Sequence, residues 1–177
     1  MKKFLLPLLV VLCSFAPARA ADISSPEQKL TALGLTLPAV PAVIANYVPA
    51  VRAGNLVFLA GQIARGADGK FVVGKVGRDF TEAQGAEAAR TCALQLIASL
   101  KAEVGDLAKV KRIVKVSGFV NCTEDFTAQP KIINGASDLF VAVFGEKGRH
   151  ARAAVGVAAL PAGAPVEIEL VAEVDGL

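Results

Sequence analysis

Two strand-like runs near the C-terminus are apolar at almost every position. The stretch "RHARAAVGVAALPAGAPVEIELVAEV", Arg149 to Val174, contains both runs and a Pro/Gly turn between them. A strand with water on one face alternates apolar and polar residues. These runs leave few polar positions for a solvated face, as at Val155, Val157, Ile168 and Val171. The sheet that they enter must therefore be covered on both faces.

Three segments have helical patterns. "TEAQGAEAARTCALQLIASLKAEVG" opens with a capping box of Thr81 and Gln84, carries apolar residues at helical spacing and ends at Gly105. "QPKIINGASDLFVAVFG" has the same spacing, and we expect Asp125 to cap the region where it begins. "SSPEQKLTALG" predicts a short helix that Ser25 caps.

The remaining patterns predict strands. "YVPAVRAGNLVFLAGQIA" is typical of a hairpin that turns at residues 53–55. "GADGKFVVG" predicts a turn at Asp68-Gly69 and a short strand after it, and "VKRIVKVSGFVNC" predicts a longer strand. The order of strands, helix, strand, helix and strands indicates an α+β domain of two layers, with two helices on one face of a mostly antiparallel sheet. Two helices cover only one face, so the composition favours an oligomer whose sheets pack against each other.

The first twenty residues, "MKKFLLPLLVVLCSFAPARA", have the pattern of a secretory signal peptide. A basic start precedes an apolar run and a small-residue A-x-A site, so we expect cleavage after Ala20 and a periplasmic or secreted protein. The apolar run is shorter than the roughly 20 residues of a membrane span. An uncleaved anchor is the alternative, and a lipoprotein through Cys13 is disfavoured by the bulky Leu12. Residues 21–44 then form an extension with the short helix, and residues 45–177 form the domain.

The basic character of the chain comes from this leader. Lys2, Lys3 and Arg19 are three of the 19 basic residues, so cleavage leaves 16 basic against 16 acidic residues. With no Lys/Arg-rich run, we expect neither a nucleic acid nor, after cleavage, a membrane as partner. Cys92 and Cys122 do not make a disulfide framework, and one histidine cannot build a histidine metal site.

Three blocks in order resemble the RidA/YjgF family of reactive-intermediate deaminases, also described as L-PSP endoribonucleases. "NYVPAVRAGNLVFLAGQI" resembles the family's opening hairpin, and "NGASDLFVAVFG" resembles its second helix. "ARAAVGVAALPAGAPVEIELVAEV" resembles its C-terminal signature. The resemblance covers roughly residues 45–174. It implies a chorismate-mutase-like fold and a homotrimer in which sheets line a central barrel, helices lie outside and ligand clefts lie between subunits.

The resemblance also implies a reaction, the hydrolysis of small 2-imino or enamino acids to 2-keto acids and ammonia. Arg152 matches the arginine that clamps the substrate carboxylate, and Glu167 matches the glutamate that holds the attacking water. A guanidinium grips a carboxylate with two parallel hydrogen bonds, and a carboxylate in a cleft can accept the proton of a water molecule. No metal or organic cofactor is implied.

Three further residues match the family's ligand pocket. Tyr47 corresponds to the aromatic residue that faces the cleft, Asn134 to the asparagine at the start of the helix, and Gly61 to a position where backbone approaches the ligand. Ala60 stands where deaminating members often have serine, and Ala154 where many have cysteine. Both differences remove a polar group from the expected pocket.

Each assignment has an alternative. Arg152 could pair with a carboxylate at a subunit interface, Glu169 could take the place of Glu167, and Tyr47 could pack in the core. The only histidine, His150, is expected at the surface or the rim of the cleft. The alternative function is that of a non-catalytic trimer of the cell envelope that binds a small carboxylate or a partner. Ribonuclease activity is third, because the mature chain is neutral.

Overall fold

The described part of the chain is an α+β domain with one five-stranded sheet and three α-helices, which confirms the predicted fold class. The computed structural model describes residues 25–40, 45–66 and 68–176, so the signal peptide predicted at residues 1–20 lies outside the described residues. The helices are α1 (Pro26–Ala32), α2 (Glu82–Val104) and α3 (Gln129–Phe144). The strands are β1 (Ala50–Ala53), β2 (Leu56–Ile63), β3 (Val110–Asn121), β4 (Ala151–Val157) and β5 (Val166–Val174). Within the described ranges, no helix has the length and apolar character needed to cross a membrane.

The strands lie in the order β1-β2-β5-β3-β4, and only the β3–β4 pair is parallel. Helix α3 makes the crossover between these two parallel strands, as a parallel connection requires. The two C-terminal strands do not form a hairpin, although a short segment joins them, because β3 lies between them. β4 is therefore an edge strand, and β5 is the central strand of the sheet.

Helices α2 and α3 cover one face of the sheet, and the core lies between the two layers. Every second residue of β5 is buried in it, namely Val166, Ile168, Leu170, Ala172 and Val174. The apolar stripe of α3 is buried in the same core, from Ile132 to Val143. Cys92 of α2 is fully buried there, and burial raises the pKa of its thiol. Such a thiol is a poor nucleophile, as expected for a small core residue.

The opposite face of the sheet carries exposed apolar side chains. Val51 of β1 is 54% exposed, Phe58 of β2 is 44% exposed and Val155 of β4 is 46% exposed. The pairing register places Val51, Phe58 and Val171 in one row across three strands. No described helix covers this row, so the described residues of one copy do not supply the second covering layer that the sequence demands.

The ends of the elements follow the sequence signals closely. Thr81 and Gln84 form the predicted capping box of α2, Ser25 and Gln28 form one on α1, and Gly105 ends α2 with a φ of 77°. The hairpin turns at Gly54, whose φ is 61°.

Two expectations about local structure are wrong. The residues after Asp68-Gly69 form only an isolated bridge between Arg65 and Phe71, because no named strand lies alongside to extend the pairing. The Arg65 guanidinium instead lies 3.9 Å from the centre of the Phe71 ring. Asp125 does not cap α3, which has Ala128 at its N-cap position and no side-chain cap.

Helices α2 and α3 touch through their backbones at Gly135. A Cβ atom on Gly135 would overlap the carbonyl oxygen of Ala86. Gly85 also lies between the helices, but a Cβ there would meet only the side-chain ends of Ile132 and Val76, at 3.0 and 3.2 Å. The closest approach of the two helices therefore depends on glycine at position 135.

We predict that Gly135→Ala destabilises the fold by about 1–3 kcal/mol, because a methyl group forced against backbone cannot be accommodated by a side-chain rotation. Gly85→Ala is the matched control, since both changes gain the same helix propensity of about 1 kcal/mol and only the neighbouring atoms differ. Urea unfolding of the two variants measures the difference. Equal midpoints for both variants would show that the helices can separate without cost.

Candidate active site

Arg152 lies on the edge strand β4 and points toward the helix layer. Its Nη1 donates to Oδ1 of Asn134 at 2.8 Å and to Oγ of Ser137 at 3.0 Å, both on α3. The guanidinium is exposed, and among the described residues no carboxylate lies within 4.0 Å of it. Arg152 therefore forms no ion pair within the described part of one chain. Among the described residues, Nε and Nη2 on the other edge of the guanidinium have no hydrogen-bond partner.

His150 lies next to this group and contacts it through Ser137. Its Nε2 is 3.0 Å from Ser137 Oγ, and its Nδ1 is 2.7 Å from the carbonyl oxygen of Gly148. The ring is half-buried and packs edge-on against Phe140, with the ring centres 5.8 Å apart. Burial lowers the pKa of His150, and the positive charge of Arg152 lowers it further. We therefore expect a neutral imidazole at pH 7.

Glu167 lies on β5, where its carboxylate covers Gly61 of β2. The pairing of these strands shifts register between Leu59 and Gln62, which brings the backbone of Gly61 beneath the carboxylate. A Cβ atom on Gly61 would overlap Glu167 Oε1, so this contact requires glycine. Glu167 is half-buried and has no cation within 4.0 Å among the described residues. Burial raises its pKa, with a smaller contribution from the negative charge of Glu169.

Arg152 and Glu167 lie on opposite faces of the sheet. Arg152 pairs with Val116, which is buried beneath the helices, and it bonds to α3. Glu167 pairs with Phe119 and alternates with Val166 and Ile168, which point into the helix layer. Side chains of paired residues share a face, whereas successive side chains of a strand point to opposite faces. The two residues cannot approach one ligand within a single copy of the chain.

The other residues predicted for the site lie beside either Arg152 or Glu167. Asn134 bonds to Arg152, and Gly61 lies beneath the carboxylate of Glu167. Tyr47 is 50% exposed, so it does not pack in the core of this chain. It lies two residues before Pro49, whose carbonyl oxygen accepts a hydrogen bond of 2.9 Å from the backbone N–H of Ala60, the residue before Gly61.

Ala154 and Glu169 are two further residues that the sequence analysis considered for the site. Ala154 pairs with Gly118 and packs against the core on the side of Arg152, where it adds no polar group to the Arg152 cluster. Glu169 shares the face of Glu167 but is exposed. Glu167 is the carboxylate that is half-buried and held over backbone.

Ser137 is the site residue that sequence reasoning missed. The sequence does contain a signal for it. Ser137 follows Asn134 by three residues in α3, so the two side chains share one side of the helix. His150, expected at the surface or the cleft rim, is half-buried two residues before Arg152 and joined to it by Ser137.

The described residues thus form a two-layer α+β domain with an exposed guanidinium, Arg152, on one sheet face and a half-buried carboxylate, Glu167, on the other. A sequence model described as "YjgF/chorismate_mutase-like, putative endoribonuclease" matches residues 27–174. The chain belongs to this family, as the sequence resemblance indicates.

Individual proteins are similar over most of the chain. Protein TCP17 of Trypanosoma cruzi is 46% identical over 147 residues, which are 82% of this chain and 92% of that protein. The 2-iminobutanoate/2-iminopropanoate deaminase of Dermatophagoides farinae is 34% identical over 143 residues, 80% of this chain and 95% of that protein. The crystal structure of Atu1372, a protein of unknown function from Agrobacterium tumefaciens, is 46% identical and covers 85% of this chain and 92% of its own, with a TM-score of 0.78.

We predict that Glu167→Gln stabilises the fold at pH 7, by less than about 1 kcal/mol because solvent screens a half-exposed group. A raised pKa means that the folded state favours the protonated carboxyl. This preference stabilises the folded state at pH values below the ordinary glutamate pKa of 4.5. The stabilisation is lost as pH rises through the raised pKa of Glu167 in the folded state.

The stability that Glu167→Gln gains over the wild type should therefore shrink as pH falls from 7 toward 4.5. Thermal unfolding of both proteins across that pH range measures the difference. Glu169→Gln is the matched control on the same strand face and should gain less, because Glu169 is exposed. A loss of stability in Glu167→Gln at pH 7 would contradict the raised pKa.

Proposed function

We propose that the protein hydrolyses small 2-imino or enamino acids to 2-keto acids and ammonia, in clefts between the subunits of a homotrimer. The observation that carries the proposal is the placement of Arg152 and Glu167 on opposite sheet faces, each charged and each without an ion-pair partner in the described chain. Two such groups become one site only if different copies of the chain supply them.

The exposed sheet face supports the assembly. Its row of Val51, Phe58 and Val171 is the kind of contiguous apolar surface that marks an interface. Packing this face against the same face of other copies would bury the row and form the central barrel that the family resemblance implies. A closed ring of three subunits uses one heterologous contact repeatedly, so each cleft receives one Arg152 and one Glu167 from neighbouring copies.

The substrate carboxylate binds first in the proposed reaction. Nη1 of Arg152 is already held by Asn134 and Ser137, so the edge with Nε and Nη2 is free to form a two-pronged, charge-assisted pair. This contact is made equally before and during the reaction, so it acts mainly on binding.

Glu167 then acts on water. Its carboxylate accepts a proton from a water molecule as the water oxygen bonds to C2 of the imine, and it passes this proton to the imine nitrogen, which gives a neutral carbinolamine. Glu167 then accepts the proton of the carbinolamine hydroxyl and returns it to the nitrogen as the C2–N bond breaks, so that C2 becomes a carbonyl, ammonia leaves and the carboxylate is regenerated. An enamine enters the same sequence as its imine tautomer, after one proton moves from its nitrogen to C3. Because general bases work best with a pKa near the working pH, the raised pKa of Glu167 suits this role.

Similarity to a protein named as an imine deaminase adds support. The Dermatophagoides farinae protein, named as a deaminase of 2-iminobutanoate and 2-iminopropanoate, is 34% identical to this chain. These substrates are small 2-imino acids, which is the ligand class that a guanidinium clamp and a water-activating carboxylate would serve.

Two substitutions separate binding from chemistry. Arg152→Lys keeps the charge but loses the planar fork, so binding of 2-oxobutanoate should weaken about tenfold. Glu167→Gln keeps the shape but removes the base, so binding should be unchanged while hydrolysis falls by about 10²–10⁴. Calorimetry with 2-oxobutanoate and a 2-aminoacrylate decay assay measure the two effects. Unchanged binding in Arg152→Ala would contradict the clamp.

Mixing the two variants tests the shared site directly, with the substrate kept well below KM so that loss of binding also abolishes turnover. Arg152→Ala and Glu167→Gln subunits, co-refolded in equal amounts, should regain about a quarter of the wild-type rate, because each mixed ring of three contains one intact cleft. Light scattering should give three times the chain mass for each sample. Glu169→Gln in place of Glu167→Gln is the control, since its homotrimers should already be active. A trimer with no recovery would place both residues in separate sites, and a monomer would remove the shared cleft.

The same assays address the alternative function. Binding of 2-oxobutanoate that needs Arg152, with no 2-aminoacrylate hydrolysis by the wild type, would identify a carboxylate-binding protein rather than an enzyme. The apolar Ala60 and Ala154 are the sequence features that favour this outcome.

We propose in addition that the protein is exported, on the basis of the basic start, apolar run and A-x-A site of residues 1–20. Intact-mass measurement of the secreted fraction should show a chain that begins at Ala21. A full-length product confined to the cytosol would contradict export.

A further inference from the structure

Arg152 is held by a chain of hydrogen bonds that extends beyond its direct partners. Ser137 Oγ lies 3.0 Å from Arg152 Nη1 and 3.0 Å from His150 Nε2, and His150 Nδ1 lies 2.7 Å from the Gly148 carbonyl oxygen. The chain begins on a carbonyl, which accepts only. Each link therefore has a definite direction.

The direction follows from the donors and acceptors. Gly148 O accepts, so His150 Nδ1 carries a hydrogen. In a neutral imidazole the other nitrogen is then an acceptor, and Ser137 donates its hydroxyl hydrogen to Nε2. The lone pairs of Ser137 Oγ are left to accept from Arg152 Nη1, which can only donate. Every link is satisfied by neutral His150 in its Nδ1–H tautomer.

We propose that Ser137 and His150 are positioning residues for Arg152, which fix the guanidinium plane so that its Nε–Nη2 edge points to the ligand carboxylate. This inference rests on the proposed function, because it assigns a role within the same carboxylate clamp. Asn134 supplies a first anchor on Nη1, and Ser137 supplies a second from the next turn of α3.

A second anchor matters because Arg152 is exposed on an edge strand. A long side chain in that position loses rotamer entropy when a ligand immobilises it. Two bonds to Nη1 restrict the guanidinium before the ligand arrives. The serine hydroxyl is itself oriented by His150, whose ring is fixed by Phe140 and Gly148.

The single histidine allows a direct spectroscopic test. His150 is the only histidine in the sequence, so the imidazole ¹⁵N signals of the untagged protein need no assignment. The proposal expects the Nδ1–H tautomer at pH 7, with the Nε2 signal of an acceptor nitrogen. Ser137→Ala should shift the Nε2 signal and leave Nδ1 nearly unchanged. The Nε2–H tautomer in the wild type would overturn the proposal without any assay of activity.

Binding measurements test the effect on Arg152. We expect Ser137→Ala and His150→Phe each to weaken 2-oxobutanoate binding and to raise KM by about three- to tenfold, with kcat nearly unchanged. Phenylalanine is chosen at position 150 because it keeps a ring against Phe140. Because both act through one chain, the double variant should lose little more than either single variant. Ser137→Thr keeps the hydroxyl and should recover wild-type binding.

A control and the wild type distinguish the possible failures. Asp138→Asn lies beside Ser137 on α3 but is exposed and should leave KM unchanged. Additive losses in the double variant, or a fall in kcat alone, would overturn the positioning role. If the wild type binds and hydrolyses these acids but KM is unchanged in both single variants, this inference is wrong and the proposed function stands. A wild type that neither binds nor hydrolyses these acids would overturn the proposed function and this role with it.

Discussion

The packing of β5 against the two long helices sets the arrangement of the rest of the molecule. Five alternating residues of this central strand enter the core, so its register is held by a whole row of apolar contacts. The residues between them, including Glu167, are directed to the other face. A slip of one residue would bury Glu167 and Glu169 and expose the valines and isoleucine, which makes the register strongly specified. The position of the proposed base is thus a consequence of core packing.

Glycine at position 61 extends this constraint to the neighbouring strand. The irregular pairing of β2 with β5 brings Gly61 beneath the Glu167 carboxylate, in space that a Cβ atom would occupy. The backbone therefore withdraws the carboxylate partly from solvent without supplying a counter-charge, which is what raises its pKa. A larger residue at 61 would push Glu167 outward, and the same carboxylate would be better solvated and less basic.

Much of this fold could be predicted from local signals, whereas the features that were missed depend on contacts between residues far apart in the chain. The capping boxes of α1 and α2, the Gly54 turn and the α3 stripe are encoded within a few residues of each other. The parallel pairing of β3 with β4 is not encoded in this way, because no local residue pattern specifies which strand lies between β4 and β5. Asn134 and Arg152 could be found by resemblance to the family. Ser137 was missed because its role depends on a contact between helix and strand, which a short polar residue does not signal.

The sheet also keeps the two charged groups from neutralising each other. If Arg152 and Glu167 shared a face within one chain, they would form an ion pair, the pKa of the glutamate would fall and the guanidinium would lose its free edge. Their separation leaves Arg152 with neutral partners on Nη1 only, and leaves Glu167 partly desolvated and more basic. In the proposed cleft a ligand carboxylate, rather than Glu167, satisfies the guanidinium. In the homotrimer that we propose, assembly would bring Glu167 of one copy and Arg152 of another to the same substrate, while each would retain the environment that its own subunit provides.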